Sequence, residues 1–119
     1  MKDIAETLPG LEKIKIRFLA LLNERQSEIA FHVLAAWESR DANEASHHLE
    51  AAQSTLHQIS GSAGSLGFDA LGDAARHCEN EIIAFVEAPR ENTQPISPGI
   101  MTGIDAFVLM SQSLLTADG

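Results

Sequence analysis

The sequence predicts an all-α fold, an antiparallel four-helix bundle with a possible extra N-terminal helix. Alanine, leucine, glutamate and glutamine, which favour helices, fill the stretches between the glycines and prolines. Apolar residues recur in these stretches at intervals of three and four, the period of a helix that packs one face on a core. Strand signals are nearly absent: the chain has no tyrosine, no Asn-Gly turn and no sustained alternation of apolar and polar residues.

The first helical stretch is predicted at about residues 11–39, directly after a Pro-Gly pair. A polar interval at residues 23–27 leaves open whether this stretch is one helix or two, and the second case would supply the extra N-terminal helix. The apolar residues at helical spacing are Leu11, Ile14, Phe18, Leu21, Leu22, Ile29, Val33, Leu34 and Trp37.

The second helix is predicted from near Ala42 to about Leu66, before Gly67. Its start is indicated by Asp41 and Glu44, which have the three-residue offset of a capping box. A third helix is expected at about residues 70–87, with Asp69 as its N-cap.

A loop is predicted at residues 88–99, which hold three of the four prolines, and a last helix at about residues 100–116. The residues of the third and last helices expected to face inward are Leu71, Ala74, Ala75, Cys78, Ile82, Phe85 or Val86, Ile104, Phe107, Val108, Met110 or Ser111, and Leu114 or Leu115.

Length and composition restrict the function further. The 119 residues, 45% of them hydrophobic, suit a single domain with a buried core, taken as residues 1–119. A formal net charge of −9 argues against nucleic-acid binding, because phosphate recognition needs lysine and arginine. The lone Cys78 excludes a disulfide framework and suggests a reducing compartment. Uninterrupted apolar runs are too short for a membrane span, and no signal peptide precedes them, so a cytoplasmic protein is expected.

The second helix carries the most informative residues. Its apolar residues share one arc, which places His57 on the exposed side of the helix with Gly61 and Gly64 beside it. Gln53 and Ser54, together with Glu50, continue the exposed strip towards the N-terminus of the helix. Each interior glycine costs about 0.5–1 kcal/mol relative to alanine. Either the glycines keep the surface around the imidazole open for another protein, or they permit tight packing of a neighbouring helix around an ordinary exposed histidine.

Residues 56–68, LHQISGSAGSLGF, closely resemble the signature of histidine phosphotransfer (HPt) domains, four-helix bundles that carry phosphoryl groups in phosphorelays. The resemblance identifies His57 as the phospho-acceptor, through its Nε2 atom, and matches the apolar Ile59, Gly61 and the Leu66-Gly67 pair that ends the helix. It extends through Leu71, Ala75, Cys78 and Glu79, which match the family's next helix, where a Leu-Glu pair is usual. The good match covers roughly residues 45–87.

One position departs from the family pattern. HPt domains usually have a lysine three residues after the histidine, where this chain has Ser60. Serine can donate a hydrogen bond but brings no positive charge. Arg76 and His77, on the third helix, are the nearby cationic candidates in the sequence. The residues expected at the partner-docking surface or around the phosphoryl group are Gln53, Ser54, Ser60, Gly61, Gly64 and Phe68.

The resemblance implies a phosphoryl carrier on His57 rather than a turnover enzyme, acting between receiver-domain aspartates in a two-component phosphorelay. Its partners would be response-regulator receiver domains or a hybrid histidine kinase. The chain would need no cofactor or metal of its own, because the partner receiver supplies Mg²⁺. Since the sequence begins at Met1 without a kinase or receiver segment, a free-standing intermediate is expected, with a fragment of a larger hybrid kinase as the open alternative. A monomer is expected.

Three other functions remain open from the sequence. The first is an adaptor with the HPt fold that binds receivers or kinases without transfer, which Ser60 favours. The second is a metal-dependent hydrolase using His47 and His48, although adjacent histidines diverge on a helix and are expected to be solvated. The third is a structural bundle that dimerises through its outer helices. His32 is expected to be half-buried in packing and His77 to lie on the surface.

Overall fold

The computed structural model describes residues 9–88 and 96–118. They form four helices: α1 (Pro9–Glu38), α2 (Ala42–Ser65), α3 (Asp69–Glu87) and α4 (Pro98–Asp118). Within these ranges no strand is present, so the all-α four-helix bundle is confirmed. The division of the first stretch into two helices is wrong for residues 9–38, where α1 is continuous through its polar interval. Residues 1–8 and most of the predicted proline loop, 89–95, lie outside the described part of the chain.

The helix ends follow the capping residues with one exception. Asp41 caps α2 as predicted, its Oδ1 accepting a 2.8 Å hydrogen bond from the Asn43 amide. The reciprocal bond of a capping box is not made, because the Asp41 amide donates to the Ser39 hydroxyl instead. At α3 the prediction is wrong by one residue: Phe68 is the N-cap and Asp69 lies in the first turn, where its negative charge favours the helix dipole.

A Schellman motif joins α2 to α3. Gly67 takes the left-handed conformation with φ of +88°, which a residue without Cβ adopts readily. The Phe68 amide donates to the Ala63 carbonyl at 2.8 Å, and the Gly67 amide donates to the Gly64 carbonyl at 3.2 Å. These two bonds are the pair that defines the motif. The chain therefore reverses within three residues and brings α3 back along α2.

Each helix packs on two neighbours, in the cyclic order α1, α2, α3, α4 and back to α1. The core between them is apolar. Ser111 is also fully buried, and its hydroxyl is satisfied by donating a 2.9 Å hydrogen bond to the Phe107 carbonyl. The fully buried large side chains of the core are Phe107, Leu22, Ile29, Leu49, Leu56, Ile59, Leu71, Ile82, Ile100 and Val33.

The apolar residues of α1 divide between the core and the surface. Phe18, Leu22, Ile29 and Val33 are buried. Four others from the same periodic set, Ile14, Leu21, Leu34 and Trp37, are exposed. More apolar residues of α1 have helical spacing than one face of the helix can bury. Because α1 contacts only α2 and α4, the others remain exposed.

The last helix differs from the expectation that no segment of the chain is long and apolar enough to span a membrane. Pro98–Thr116 is long and apolar enough to span a bilayer by length and composition, with a mean hydropathy of 1.2. The sequence prediction considered only uninterrupted apolar runs and missed it. In the bundle this helix buries Ile100, Ile104 and Phe107 in the core. A single weakly apolar helix of this kind does not indicate a membrane protein.

Cys78 is buried in the core, so the reactivity of its thiol reports on the packing of α3. Removal from water raises the pKa of its thiol to about 11, and the negative charge of Glu81 adds to the increase. Because the thiolate is the reactive form, we expect a disulfide reagent at pH 8 to modify the folded protein at least about a hundredfold more slowly than the guanidinium-unfolded protein. The reaction of the folded protein should accelerate as pH rises towards 11. Equal rates in the two states would contradict the packing of α3 on the core.

Candidate functional site

His57 stands on the outer side of α2 and is held by a residue of α3. Its side chain is 75% exposed, whereas that of Glu79 is 11% exposed. The Nδ1 atom of His57 lies 2.8 Å from Oε2 of Glu79, within hydrogen-bond distance. The Schellman turn makes this contact geometrically available, because it returns α3 antiparallel to α2 with Glu79 beside His57.

The bond to Glu79 determines which ring nitrogen is free. A carboxylate only accepts hydrogen bonds, so Nδ1 must carry the proton that it donates. In the neutral imidazole the other nitrogen, Nε2, then has the lone pair. The ring is exposed, and a nucleophilic nitrogen is therefore presented to solvent in a fixed orientation.

Gly61 and Gly64 leave the surface beside His57 open. A Cβ atom built on either residue would meet no atom within 4 Å. The alternative in which these two glycines allow a neighbouring helix to pack closely is therefore wrong. Gly72 of α3 is the glycine of this region that lies against a neighbouring helix, and its Cβ position would be at ordinary van der Waals distance, 3.5 Å, from the Ser60 carbonyl oxygen and from the Gly64 amide nitrogen.

Ser60 is placed differently from its neighbours on the signature. It is buried, 8% exposed, on the side of α2 that faces α3. Its hydroxyl donates a 3.0 Å hydrogen bond to the carbonyl oxygen of His57. The donor that the sequence analysis considered available to a phosphoryl group is thus already used within the helix.

The remaining docking candidates lie at different distances from the imidazole. Ser54 is exposed and Gln53 is half-buried, one turn before His57. Phe68 is half-buried and stacks on Phe18, with ring centroids 5.4 Å apart. It lies eleven residues after His57, at the end of the bundle, roughly 15 Å along the helix axis.

Phe68 also lines a shallow hollow of about 200 Å³ at this end of the bundle. The other lining residues are Gly67, Asp69, Ala70, Leu71, Met110 and Leu114. The structure therefore brings Gly61 and Gly64 to the imidazole and leaves Phe68 as a separate feature.

The two cationic candidates on α3 also differ. His77 Nε2 lies 3.8 Å from Glu81 Oε1, one turn further along the same helix. Arg76 is exposed, and no ion pair joins it to any residue of the described ranges.

The other histidines do not form a metal centre. His48 was expected to be solvated, but it is half-buried between α1 and α2, with its Nδ1 2.9 Å from Nδ1 of His32. His47 is exposed, and His32 is half-buried as predicted. Among the residues that the structure describes, no group of three or more His, Cys, Asp or Glu side chains could hold a metal ion. The hydrolase alternative therefore has no ligand set in this part of the chain.

The residue that sequence reasoning left without a role is Glu79. It was noted only as a member of the matching third helix. Its position 22 residues after His57 carries no recognisable spacing signal, because the contact depends on the register between two antiparallel helices. An acidic residue within an otherwise inward-facing stretch of α3 was the available hint.

One comparison with known proteins returned a match. A family model described as Hpt domain matches residues 14–115, which is most of the chain. Comparisons with curated proteins and with solved structures returned no match. Hpt domains are phosphotransfer carrier modules, not kinases, and they generally interact with receiver domains and kinases. The match spans all four helices and includes both His57 and Glu79. The chain therefore belongs to the Hpt domain family, the histidine phosphotransfer modules of phosphorelays.

Proposed function

We propose that this protein carries a phosphoryl group on Nε2 of His57 and exchanges it with the aspartates of receiver domains. The observation that supports the proposal most directly is the 2.8 Å hydrogen bond between Nδ1 of His57 and Glu79. It orients an exposed imidazole and leaves its nucleophilic nitrogen free.

The transfer of the phosphoryl group needs no residue of this chain to accept a proton. The Nε2 lone pair attacks the phosphorus of an aspartyl phosphate, and the P–O bond to the aspartate breaks with its electrons returning to the carboxylate. Since Nδ1 keeps its proton, the product is a positively charged phosphoimidazolium. The Glu79 carboxylate at Nδ1 stabilises that charge. In the reverse direction the electrons of the N–P bond return to Nε2, and the neutral ring is restored.

The rest of the transfer chemistry belongs to the partner. Phosphoryl transfer depends on in-line positioning and on stabilisation of charge around the phosphorus. We infer that the receiver supplies Mg²⁺ together with the acceptor aspartate. His57 is then a covalent carrier, and this chain contributes an oriented nucleophile and an open surface. Ser54, Gln53 and the two glycines beside His57 are the nearest surface for a receiver to contact.

An adaptor that binds receivers without transfer is the second candidate. The observation that favours it is Ser60, which provides no positive charge and whose hydroxyl is bonded to the His57 carbonyl. An adaptor has no need for an oriented Nε2, however, so the Glu79 contact favours the carrier.

The experiment that tests the carrier is transfer of labelled phosphate from phosphorylated receiver domains. We expect acid-labile, alkali-stable label on the wild type and none on His57→Gln. The matched control is His77→Gln, which removes another exposed histidine that lies near a glutamate. Label retained in that control and lost in His57→Gln would assign the site. Receiver binding without label on the wild type would instead establish the adaptor.

The open glycine surface leads to a second prediction. Because a Cβ at Gly61 meets nothing, Gly61→Ala should raise the free energy of unfolding by about 0.5–1 kcal/mol. Gly61→Arg should also fold but slow transfer from a receiver by roughly tenfold or more, since its side chain occupies the docking surface and even 1.4 kcal/mol corresponds to a factor of ten.

Thermal unfolding and transfer rates measured on the same variants check both expectations. Gly67→Ala serves as the control, because its φ of +88° makes any side chain unfavourable and should lower stability. A normal transfer rate in Gly61→Arg would contradict the steric role of this surface.

A further inference from the structure

We propose that Arg76 is the phosphoryl-binding cation of this site and takes the role that a lysine at the position of Ser60 would have. The inference deepens the proposed function and rests on it. It concerns how the chain compensates for a missing positive charge within one turn of the phospho-acceptor.

Two contacts define the side of α3 that faces α2. Gly72 approaches the backbone of α2 at Ser60 and Gly64, with Cβ distances of 3.5 Å. Glu79 reaches His57 from the same side at 2.8 Å. Arg76 lies four residues after Gly72 and three before Glu79, and residues at these spacings share one face of a helix. Arg76 therefore emerges along the seam between α2 and α3.

Arg76 lies at about the same height along the axes of α2 and α3 as the imidazole of His57. Helical side chains lean towards the N-terminus of their own helix, so a residue covers the turn that precedes it. The Glu79 carboxylate, and with it the His57 ring, therefore stands beside the turn that contains Arg76. Arg76 is exposed, and its long side chain has no ion-pair partner within the described ranges.

Among the residues that the structure describes, no other arginine or lysine lies on the three helices that follow α1. Within the described residues, Arg76 is the one arginine or lysine on α2, α3 or α4. The others lie on α1 or on the link that follows it: Lys13, Lys15, Arg17, Arg25 and Arg40.

Helix α1 itself contacts the opposite side of α2. His48 meets α1 through His32, and it lies nine residues before His57, a rotation of about 180° around the helix. The cations of α1 therefore lie away from the imidazole. His77, the other candidate, is close to Glu81.

The electrostatics of the phosphorylated state create the need for this cation. A phosphoryl dianion would stand beside the Glu79 carboxylate on a chain whose formal net charge is −9. The imidazolium offsets one of these charges. A guanidinium offers several N–H donors that match phosphate oxygens, and it stays positively charged at any physiological pH.

The test measures the charge around the phosphoryl group directly. The protein is phosphorylated with phosphoramidate, a small-molecule donor, so that no partner is required. The His57 signal in the ³¹P NMR spectrum is identified by its loss in His57→Gln, and its chemical shift is followed against pH. A nearby cation favours the dianion and so lowers the pKa of the phosphoryl group.

In Arg76→Gln we expect the proton affinity of the phosphoryl group to rise about threefold to fivefold, the size typical of an exposed ion pair. Arg76→Lys should bring the pKa of the phosphoryl group most of the way back to the wild-type value. In 1 M salt the wild type and Arg76→Gln should have the same phosphoryl pKa, because salt screens the charge of Arg76. The matched control is Arg40→Gln, which makes the same charge change about 25 Å away along α2 and should leave the titration unchanged.

The outcomes separate the two proposals. A wild-type protein that gains no His57-specific phosphoryl signal would overturn the carrier function and with it the role of Arg76. A clear signal whose titration is the same in Arg76→Gln, Arg40→Gln and the wild type would overturn the role of Arg76 alone. Circular dichroism checks that each variant remains folded, which is the result expected for an exposed side chain.

Discussion

The hydrogen bond between Nδ1 of His57 and Glu79 is the interaction on which the site depends. It joins α2 to α3, selects the ring nitrogen that carries the proton and directs the other nitrogen outwards. A histidine that is 75% exposed would otherwise sample several rotamers and both tautomers. The Schellman turn at Gly67 and the close approach at Gly72 set the register that makes this bond available. The fold thereby converts an ordinary surface residue into an oriented nucleophile.

The glycines of α2, of the turn and of α3 have different surroundings. Gly72 lies against the backbone of α2, where an added Cβ would make ordinary van der Waals contact, and Gly67 is required by the fold for the positive φ of the turn. Gly61 and Gly64 are not, since a side chain at either position would stand in open space. Under the proposed function, access to the imidazole explains their cost to helix stability.

Most of the fold was predictable from local chemistry, and the main failures have physical reasons. Helix α2 was predicted to within a residue because a capping aspartate and a terminal glycine mark its ends. The apolar set of α1 was too large, because Ile14, Leu34 and Trp37 satisfy helical spacing while lying outside the area that α2 and α4 cover. The contact between His57 and Glu79 was also missed, because it depends on how the turn at Gly67 and the approach at Gly72 align α3 with α2 in three dimensions. The exposure of His57 followed from the position of the apolar arc alone.

The central claim is that Glu79 makes Nε2 the phospho-accepting atom, and the position of phosphorus on the ring tests it directly. Long-range ¹H–¹⁵N correlation spectra of the phosphorylated protein distinguish the two isomers of phosphohistidine. We predict phosphorus on Nε2 and a proton on Nδ1, with Glu79→Ala giving a mixture of tautomers in the unphosphorylated protein. Phosphorus on Nδ1, the atom that the structure bonds to Glu79, would contradict the account.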